Sequence, residues 1–261
     1  MHIIVCIKQV PETIDVQIDT KTNTLIREGV PSIVNPFDMY AIEEGLRIKE
    51  KMGGTVTAIS MGPPQAKEVL KEAISMGADN AILLSDRKFA GADTLATSYT
   101  LGAAIKKMGK FDLTICGKQA IDGDTAQVGP GLAEVLNIPH VSYVRKIEEI
   151  NSRYMRVERM TESGHEIIET ALPALITVVK EINEPRLPSF RGKLRAKNME
   201  IPVWNAEDLG LDENRIGLLG SPTQVIRIFR PQRVKKGIVL DGEPDECVNR
   251  FISFLQEKQI I

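Results

Sequence analysis

Leu113-Thr114-Ile115-Cys116 is a short apolar run that opens directly into Gly117-Lys118-Gln119-Ala120-Ile121-Asp122-Gly123-Asp124-Thr125-Ala126-Gln127-Val128-Gly129-Pro130-Gly131 and then into Leu132-Ala133-Glu134-Val135-Leu136. A strand, a glycine-rich loop and a helix over 125–136, in that order, make one βα unit. The same alternation recurs upstream. Strands are predicted at 3–7, 55–61, 81–85 and 113–116, with helices at 36–52, 64–76, 93–108 and 125–136 between and after them. In the first helix Ile42, Leu46 and Lys49 share a face with Met39 and Met52, and Gly53-Gly54 stops it. Four such units predict an α/β fold with a doubly wound, mostly parallel sheet. Residues 15–27, between the first strand and the first helix, read as an inserted hairpin turning at Lys21-Thr22-Asn23.

Past residue 140 the pattern changes to short alternating runs at 140–145, 154–160, 166–170 and 174–179, which predict antiparallel additions with one wet face. His165 falls between two of them as a solvated turn residue. Residues 183–205 show little periodicity and read as a long basic loop, and loops of that length are uncommon without a job. At 245–258, Val248, Ile252 and Leu255 recur at helical spacing and predict a terminal docking helix. The expected division is an α/β domain over 1–182, a loop over 183–205 and an extension over 206–261.

Composition narrows the function classes. The chain has 33 Lys plus Arg against 35 Asp plus Glu, a formal charge of −2, so no summed field drives it onto nucleic acid or an anionic membrane. Three histidines and three cysteines (Cys6, Cys116 and Cys247), the latter far apart, are a poor set for a zinc site or a cluster. Scattered cysteines, the absence of a leader pattern and the absence of a membrane-length apolar run lead to the expectation of a cytoplasmic protein with reduced thiols and no membrane insertion.

In a doubly wound sheet, ligands sit beyond the carboxyl ends of the strands where the winding reverses. Three strand-end segments therefore matter: Lys8-Gln9-Val10-Pro11, Gly62-Pro63-Pro64 and the loop 117–131. In that loop Asp124 or Thr125 can cap the following helix, whose free N–H groups suit a phosphate, whereas Asp122 and Asp124 suit hydroxyls or capping. Asn35-Pro36-Phe37-Asp38 has the residues of a second helix start, an N-cap, a proline at the first position and a carboxylate at the third. Phe37 there either staples the helix or packs on a ligand ring. The chain has no G-x-G-x-x-G opening its first helix, no P-loop, no G-x-S-x-G and no H-E-x-x-H. With no nucleophile–base set, no side chain is assigned a catalytic role, and a bound cofactor carrying the chemistry fits better.

Three segments together resemble the β subunit of electron-transfer flavoproteins along essentially the whole chain. They are Asn35-Pro36-Phe37-Asp38 with Ala41-Ile42-Glu43-Glu44; Gly117-Lys118-Gln119-Ala120-Ile121-Asp122-x-Asp124-x-x-Gln127; and Val157-x-Arg159, Glu162, Gly164, Glu166, Ile168, Pro173-x-Leu175-Ile176-Thr177 and Asn183-Glu184-Pro185-Arg186. Ser163 departs from the Gly or Asp of that signature. The resemblance implies a Rossmann-like, adenine-nucleotide-binding chain paired with an α subunit that carries an FAD. It implies a nucleotide contacting Cys6, Asn35, Pro36, Phe37, Asp38, Met61 and the loop Gly117, Lys118, Gln119, Ala120, Ile121, Asp122, Gly123, Asp124, Thr125, Ala126, Gln127 and Val128. Gly123 resembles the electron-bifurcating form of anaerobes, which holds FAD, takes a hydride from NADH, and serves an acyl-CoA or hydroxy-acid dehydrogenase together with ferredoxin or flavodoxin. The alternatives are structural AMP in a non-bifurcating subunit and, in another class, a nucleotide-binding regulatory α/β domain. The resemblance further implies that 183–205 docks the dehydrogenase through Leu187 and a Phe190 plug, with Arg191, Lys193, Arg195 and Lys197 as a charged rim, and that the terminal helix docks on the α subunit.

Overall fold

The computed structural model describes residues 1–12, 18–19, 24–25, 32–226 and 237–261. Its elements are β1 (His2–Cys6), β2 (Gln9–Pro11), β3 (Ile18–Asp19), β4 (Thr24–Leu25), β5 (Ser32–Val34), α1 (Pro36–Met52), β6 (Thr55–Met61), α2 (Lys67–Met76), β7 (Asn80–Leu84), α3 (Thr94–Met108), β8 (Leu113–Gly117), α4 (Val128–Leu136), β9 (His140–Ile150), β10 (Tyr154–Thr161), β11 (Gly164–Ala171), β12 (Ala174–Val178), α5 (Phe190–Asn198), β13 (Val203–Trp204) and α6 (Pro244–Glu257). Nine strands form one sheet in the order β11-β10-β9-β12-β8-β1-β6-β7-β13. The strands from β9 through β12 to β13 run parallel to their neighbours, and β10 and β11 add antiparallel at one edge. The chain is thus α/β with a doubly wound, mostly parallel sheet and antiparallel additions.

The period of two in β1 shows how both faces are covered. Ile3, Val5 and Ile7 enter one cluster with Ala41, Ile42 and Leu46 of α1 and Leu70 and Ile74 of α2. Ile4 and Cys6 enter the other with Leu101 and Ile105 of α3 and Leu132 of α4. Burial on both faces explains why the central strands read as unbroken apolar runs. Two glycines set the helix spacing. A Cβ on Gly45 would lie 3.1 Å from Val5 Cγ2, and one on Gly102 would lie 2.4 Å from Val135 Cγ1, so α1 sits close on β1 and α3 close on α4.

Several boundaries differ from expectation. The helix expected from 64 begins as a 3-10 turn over Pro64–Ala66, and α4 starts at Val128, three residues later than expected. His165 lies within β11, paired opposite Met160, with Nδ1 3.5 Å from a Glu158 carboxylate oxygen. The inserted hairpin is present as β3 against β4, Ile18 opposite Leu25, while its expected turn at 21–23 lies outside the described residues.

The largest correction concerns 183–205, which is not a loop throughout. Phe190–Asn198 is helix, capped by the Ser189 hydroxyl accepting the Gly192 N–H, and Val203–Trp204 pairs with β7 as an edge strand. The face α5 turns toward α2 carries Gly192, Ala196 and, just past its end, Met199, at i, i+4 and i+7. Two of those three are too small to register as a hydrophobic stripe, so the helical period is invisible to hydropathy. The residues divide into two compact units, 1–226 and 227–261, the second containing α6. Val248, Phe251 and Ile252 of α6 are exposed.

A Cβ at Gly192 would stand 2.0 Å from the Ser75 carbonyl oxygen. Overpacking of this kind costs about 1–3 kcal/mol. Gly192→Ala is therefore expected to lower the urea-unfolding midpoint correspondingly, and an unchanged midpoint would mean that α5 is not seated on α2.

Candidate functional site

From β1 the chain passes through α1 to β6 and through α2 to β7, then returns through α3 to β8 on the other side of β1. The winding therefore reverses between β1 and β8, the place where an open α/β sheet binds its ligand. Cys6 and Cys116 are register partners there. The neighbouring Cys6 thiol and burial together push the Cys116 thiol well above its ordinary range. Both cysteines are packed as small hydrophobes.

The first turn of α1 joins the two strand ends. Asp38 is buried, and its carboxylate accepts the Lys8 N–H at 2.7 Å and lies against Gly117. Gly117 is obligatory at this approach, because a Cβ there would lie 2.3 Å from Asp38 Oδ1 and 2.8 Å from Phe37 Cβ. Burial pushes the Asp38 carboxyl up to about 7, against the lowering effect of hydrogen bonds from Asn35, Lys8 and Gly117. Asn35 precedes the helix, as expected of a cap, yet its side chain does not cap it. Its amide donates to the Gln119 carbonyl at 2.8 Å, and its Oδ1 accepts the Ile121 N–H at 3.1 Å. Asn35 thus ties the loop after β8 to the start of α1.

The loop itself is shaped by its own polar groups. Lys8 Nζ pairs with Asp122 at 2.6 Å, Gln119 donates its amide to the Asp124 carboxylate, and the Asp124 N–H reaches the Ala120 carbonyl at 2.8 Å. Neither Asp124 nor Thr125 caps α4, whose preceding residue, Gln127, makes no side-chain cap either. Asp124 (φ 53°) and Ala126 (φ 54°) instead adopt left-handed backbone, which costs roughly 1–2 kcal/mol each for non-glycine residues. Among the described residues no acceptor takes the N–H of Thr125, Ala126 or Gly129. Gly123 stands at the tip with nothing within 4 Å of where a Cβ would be.

Lys118 forms no ion pair with any described carboxylate; its ammonium lies 5.9 Å from the Phe37 ring centre and 5.5 Å from that of Tyr143. An unpaired cation, free loop N–H groups and an open glycine tip fit the phosphates of an adenine nucleotide. Cys6, Asn35, Pro36, Phe37, Asp38 and residues 117–128 come together here, and Met61 ends β6, the next strand along. A cavity of about 630 Å³ beside Met39, Tyr40 and Val69 shares Pro36 with this site, and one of about 450 Å³ beside His2, Lys107 and Trp204 shares none of its residues. Among the described residues no group of three His, Cys, Asp or Glu is placed to hold a metal ion.

The segment from Asn183 is fastened to α1. Arg186 grips Glu43 (2.8 Å) and Glu50 (2.5 Å), and Asn183 donates to the Tyr40 carbonyl and to Glu44. Burial alone would raise Glu43, but hydrogen bonds from Arg186 and Arg47 outweigh it and hold the carboxyl below its ordinary range. Beyond this clamp Leu187 and Phe190 are nearly fully exposed, and Arg191, Lys193 and Lys197 are also exposed. Arg195 is exposed as well, and one of its guanidinium nitrogens donates to the Asp79 carbonyl at 2.5 Å.

The electron transfer flavoprotein domain model matches residues 22–209. The chain belongs to the electron transfer flavoprotein family. It is 52% identical over 262 residues to the electron transfer flavoprotein subunit beta of Thermoanaerobacterium thermosaccharolyticum, covering all of both chains. It is also 52% identical over 263 residues to a subunit of the caffeyl-CoA reductase–Etf complex of Acetobacterium woodii, again over the full length of both. Protein FixA of Azorhizobium caulinodans is 45% identical over 267 residues, 99% of this chain and 95% of that protein. The chain is thus a full-length match to β subunits of this family. No helix among its described residues is long and apolar enough to cross a membrane.

Sequence reasoning missed Lys8 as the partner of Asp122, Asn35 as a bridge rather than a cap, and Tyr143 altogether. Lys8 was in view at a strand end, but nothing local signals the other two.

Asp38 supplies a pH test. Its folded value of about 7 exceeds the ordinary 3.8, so the folded state holds more protons than the unfolded state between these values and Asp38's contribution to stability falls as pH rises through that window. In Asp38→Asn the same slope is expected to vanish, so the stability of wild type relative to the variant is greatest at pH 4, falls steadily to about pH 7 and levels off by pH 8. Urea unfolding across that range checks it, and a difference independent of pH would contradict the assignment.

Proposed function

We propose that this chain is the flavin-binding β subunit of an electron-bifurcating electron transfer flavoprotein, with FAD held at the β1/β8 strand ends. The observation that carries the reading is the open tip at Gly123, next to the Lys118 ammonium and the N–H groups of Thr125 and Ala126, none of which has a hydrogen-bonding or ion-pair partner among the described residues. A side chain at 123 would enter that space, so the glycine favours a dinucleotide with a pyrophosphate over AMP. Similarity to a subunit of a caffeyl-CoA reductase–Etf complex is in keeping with a subunit that works beside a CoA-ester enzyme.

Residues 117–128 with Asn35 and Asp38 would hold the flavin, which when bound would supply the redox chemistry linking NADH to the α-subunit FAD, to an acyl-CoA or hydroxy-acid dehydrogenase and to ferredoxin or flavodoxin. The chain's own residues bind and orient. Lys118 and the loop N–H groups meet the phosphates, Asn35 and Asp38 fix the loop and strand ends, and Phe37 offers an apolar ring at the edge of the site. No side chain is needed as acid or base.

The exposed apolar face of α6 is the surface for the α subunit, and Leu187, Phe190 and the exposed cations Arg191, Lys193 and Lys197 form the surface for the dehydrogenase. A small apolar anchor within a charged rim is a usual form for such contacts, the anchor supplying affinity and the rim on-rate. A cytoplasmic location follows from this role.

Flavin content tests the reading. Two FAD per heterodimer, purified with the α subunit, is the expected result; one FAD with AMP would select a non-bifurcating subunit, and no flavin would remove the redox role in favour of a regulatory nucleotide-binding domain. Phe190→Asp is expected to cut electron transfer to the dehydrogenase at least tenfold, the effect of losing one buried anchor, while NADH still reduces the bound flavin. Undiminished transfer would overturn the docking surface.

A further inference from the structure

Tyr143 is the one aromatic residue among the described residues with left-handed backbone (φ 62°). A bulky side chain in that region is unusual, and such conformations persist only where the surroundings hold them. The strand pairing and the packing behind it hold this one. The register between β9 and β12 shifts between Ile176 and Val178, which places Tyr143 in an irregularity of β9. Its N–H donates to the Thr177 hydroxyl at 3.0 Å. Thr177 is itself pinned by the first turn of α4, where a Cβ on Gly129 would fall 2.5 Å from Thr177 Cγ2. The bulge presents the Tyr143 ring to Lys118, whose ammonium lies between it and Phe37 at 5.5 and 5.9 Å. The backbone of Lys118 is fixed as well, its N–H donating to the Val178 carbonyl at 2.9 Å.

Among the described residues, those around Lys118 are thus arranged to hold a cation without neutralising it. Aromatic faces attract an ammonium within about 6 Å yet leave its full charge for a ligand, where a carboxylate would cancel it. Lys8, a few residues past the end of the neighbouring strand, is treated the opposite way and is neutralised by Asp122. We infer that Tyr143 is a positioning residue: its ring, with that of Phe37, holds Lys118 pointed at a phosphate group of the bound nucleotide, and the left-handed bulge in β9 exists to place it there. The inference rests on the nucleotide-site reading above and adds a residue and a role to it.

The test is calorimetric titration of the full heterodimer, stripped of nucleotide, with two probes, ADP and adenosine. Gly is at home at this φ, so Tyr143→Gly leaves the bulge unstrained, and its fold is checked by the melting temperature. Tyr143→Gly is expected to weaken ADP roughly tenfold with adenosine unchanged, and Tyr143→Phe, which keeps a ring, to bind ADP within about twofold of wild type. Lys118→Ala is expected to weaken ADP too, and Tyr143→Gly added to it to cause no further loss, as residues acting through one another require. Equal ADP affinity in wild type and Tyr143→Gly, or a tenfold loss that persists undiminished in the Lys118→Ala background, would overturn the positioning role. Wild type that binds neither probe would instead overturn the nucleotide site on which the role depends.

Discussion

A single buried carboxylate holds the functional end of the sheet together. Parallel strands that end side by side leave unpaired N–H groups where the winding reverses, and Asp38 accepts that of Lys8 after β1 while packing against Gly117 at the end of β8. The cost of burying the carboxylate is visible in its raised pKa, and burial outweighs the hydrogen bonds that favour its charge. What this arrangement gains is position. With Asp38 fixed, α1 must approach β8 closely enough that only glycine fits at 117, and Asn35, three residues earlier, is left over the loop it bridges.

From there α1 runs as a rigid connection. Its first turn fixes the loop after β8, and its middle, through Glu43, Glu44 and Glu50, clamps Asn183 and Arg186 ahead of α5. The strand-end site and the segment carrying Phe190 are therefore built on opposite stretches of one helix. The scarcity of histidine and cysteine fits the same picture: Cys116 is buried with its thiol pushed up, and no reactive side chain is required where a bound cofactor carries the chemistry.

Much of this was legible in the sequence because it is local. The βα alternation, the Asn35-Pro36-Phe37-Asp38 helix start and the glycine-rich run 117–131 each announce themselves within a few residues. What was hidden depends on contacts between distant parts of the chain. Asn35 has the identity of a cap and is found before a helix, but its partners lie 84 and 86 residues away, across the switch point. Asp124 and Thr125 looked like caps because the helix was expected to begin at them, whereas two left-handed residues delay it to Val128. The α5 helix was hidden by small residues on its inner face. Tyr143 had no signal at all, since a β-prone residue in a predicted strand gives no hint of a positive φ.

What occupies the β1/β8 strand ends is decisive, and the most direct measurement is a crystal structure of the chain in its native complex with the nucleotide that it retains on purification. Continuous density for an adenine dinucleotide is expected along residues 118–127, with a phosphate oxygen in hydrogen-bonding reach of Lys118 Nζ and the Asp38 contacts to Lys8 and Gly117 intact. Density for the nucleotide in another place, such as the cavity beside Tyr40 and Val69, would contradict it.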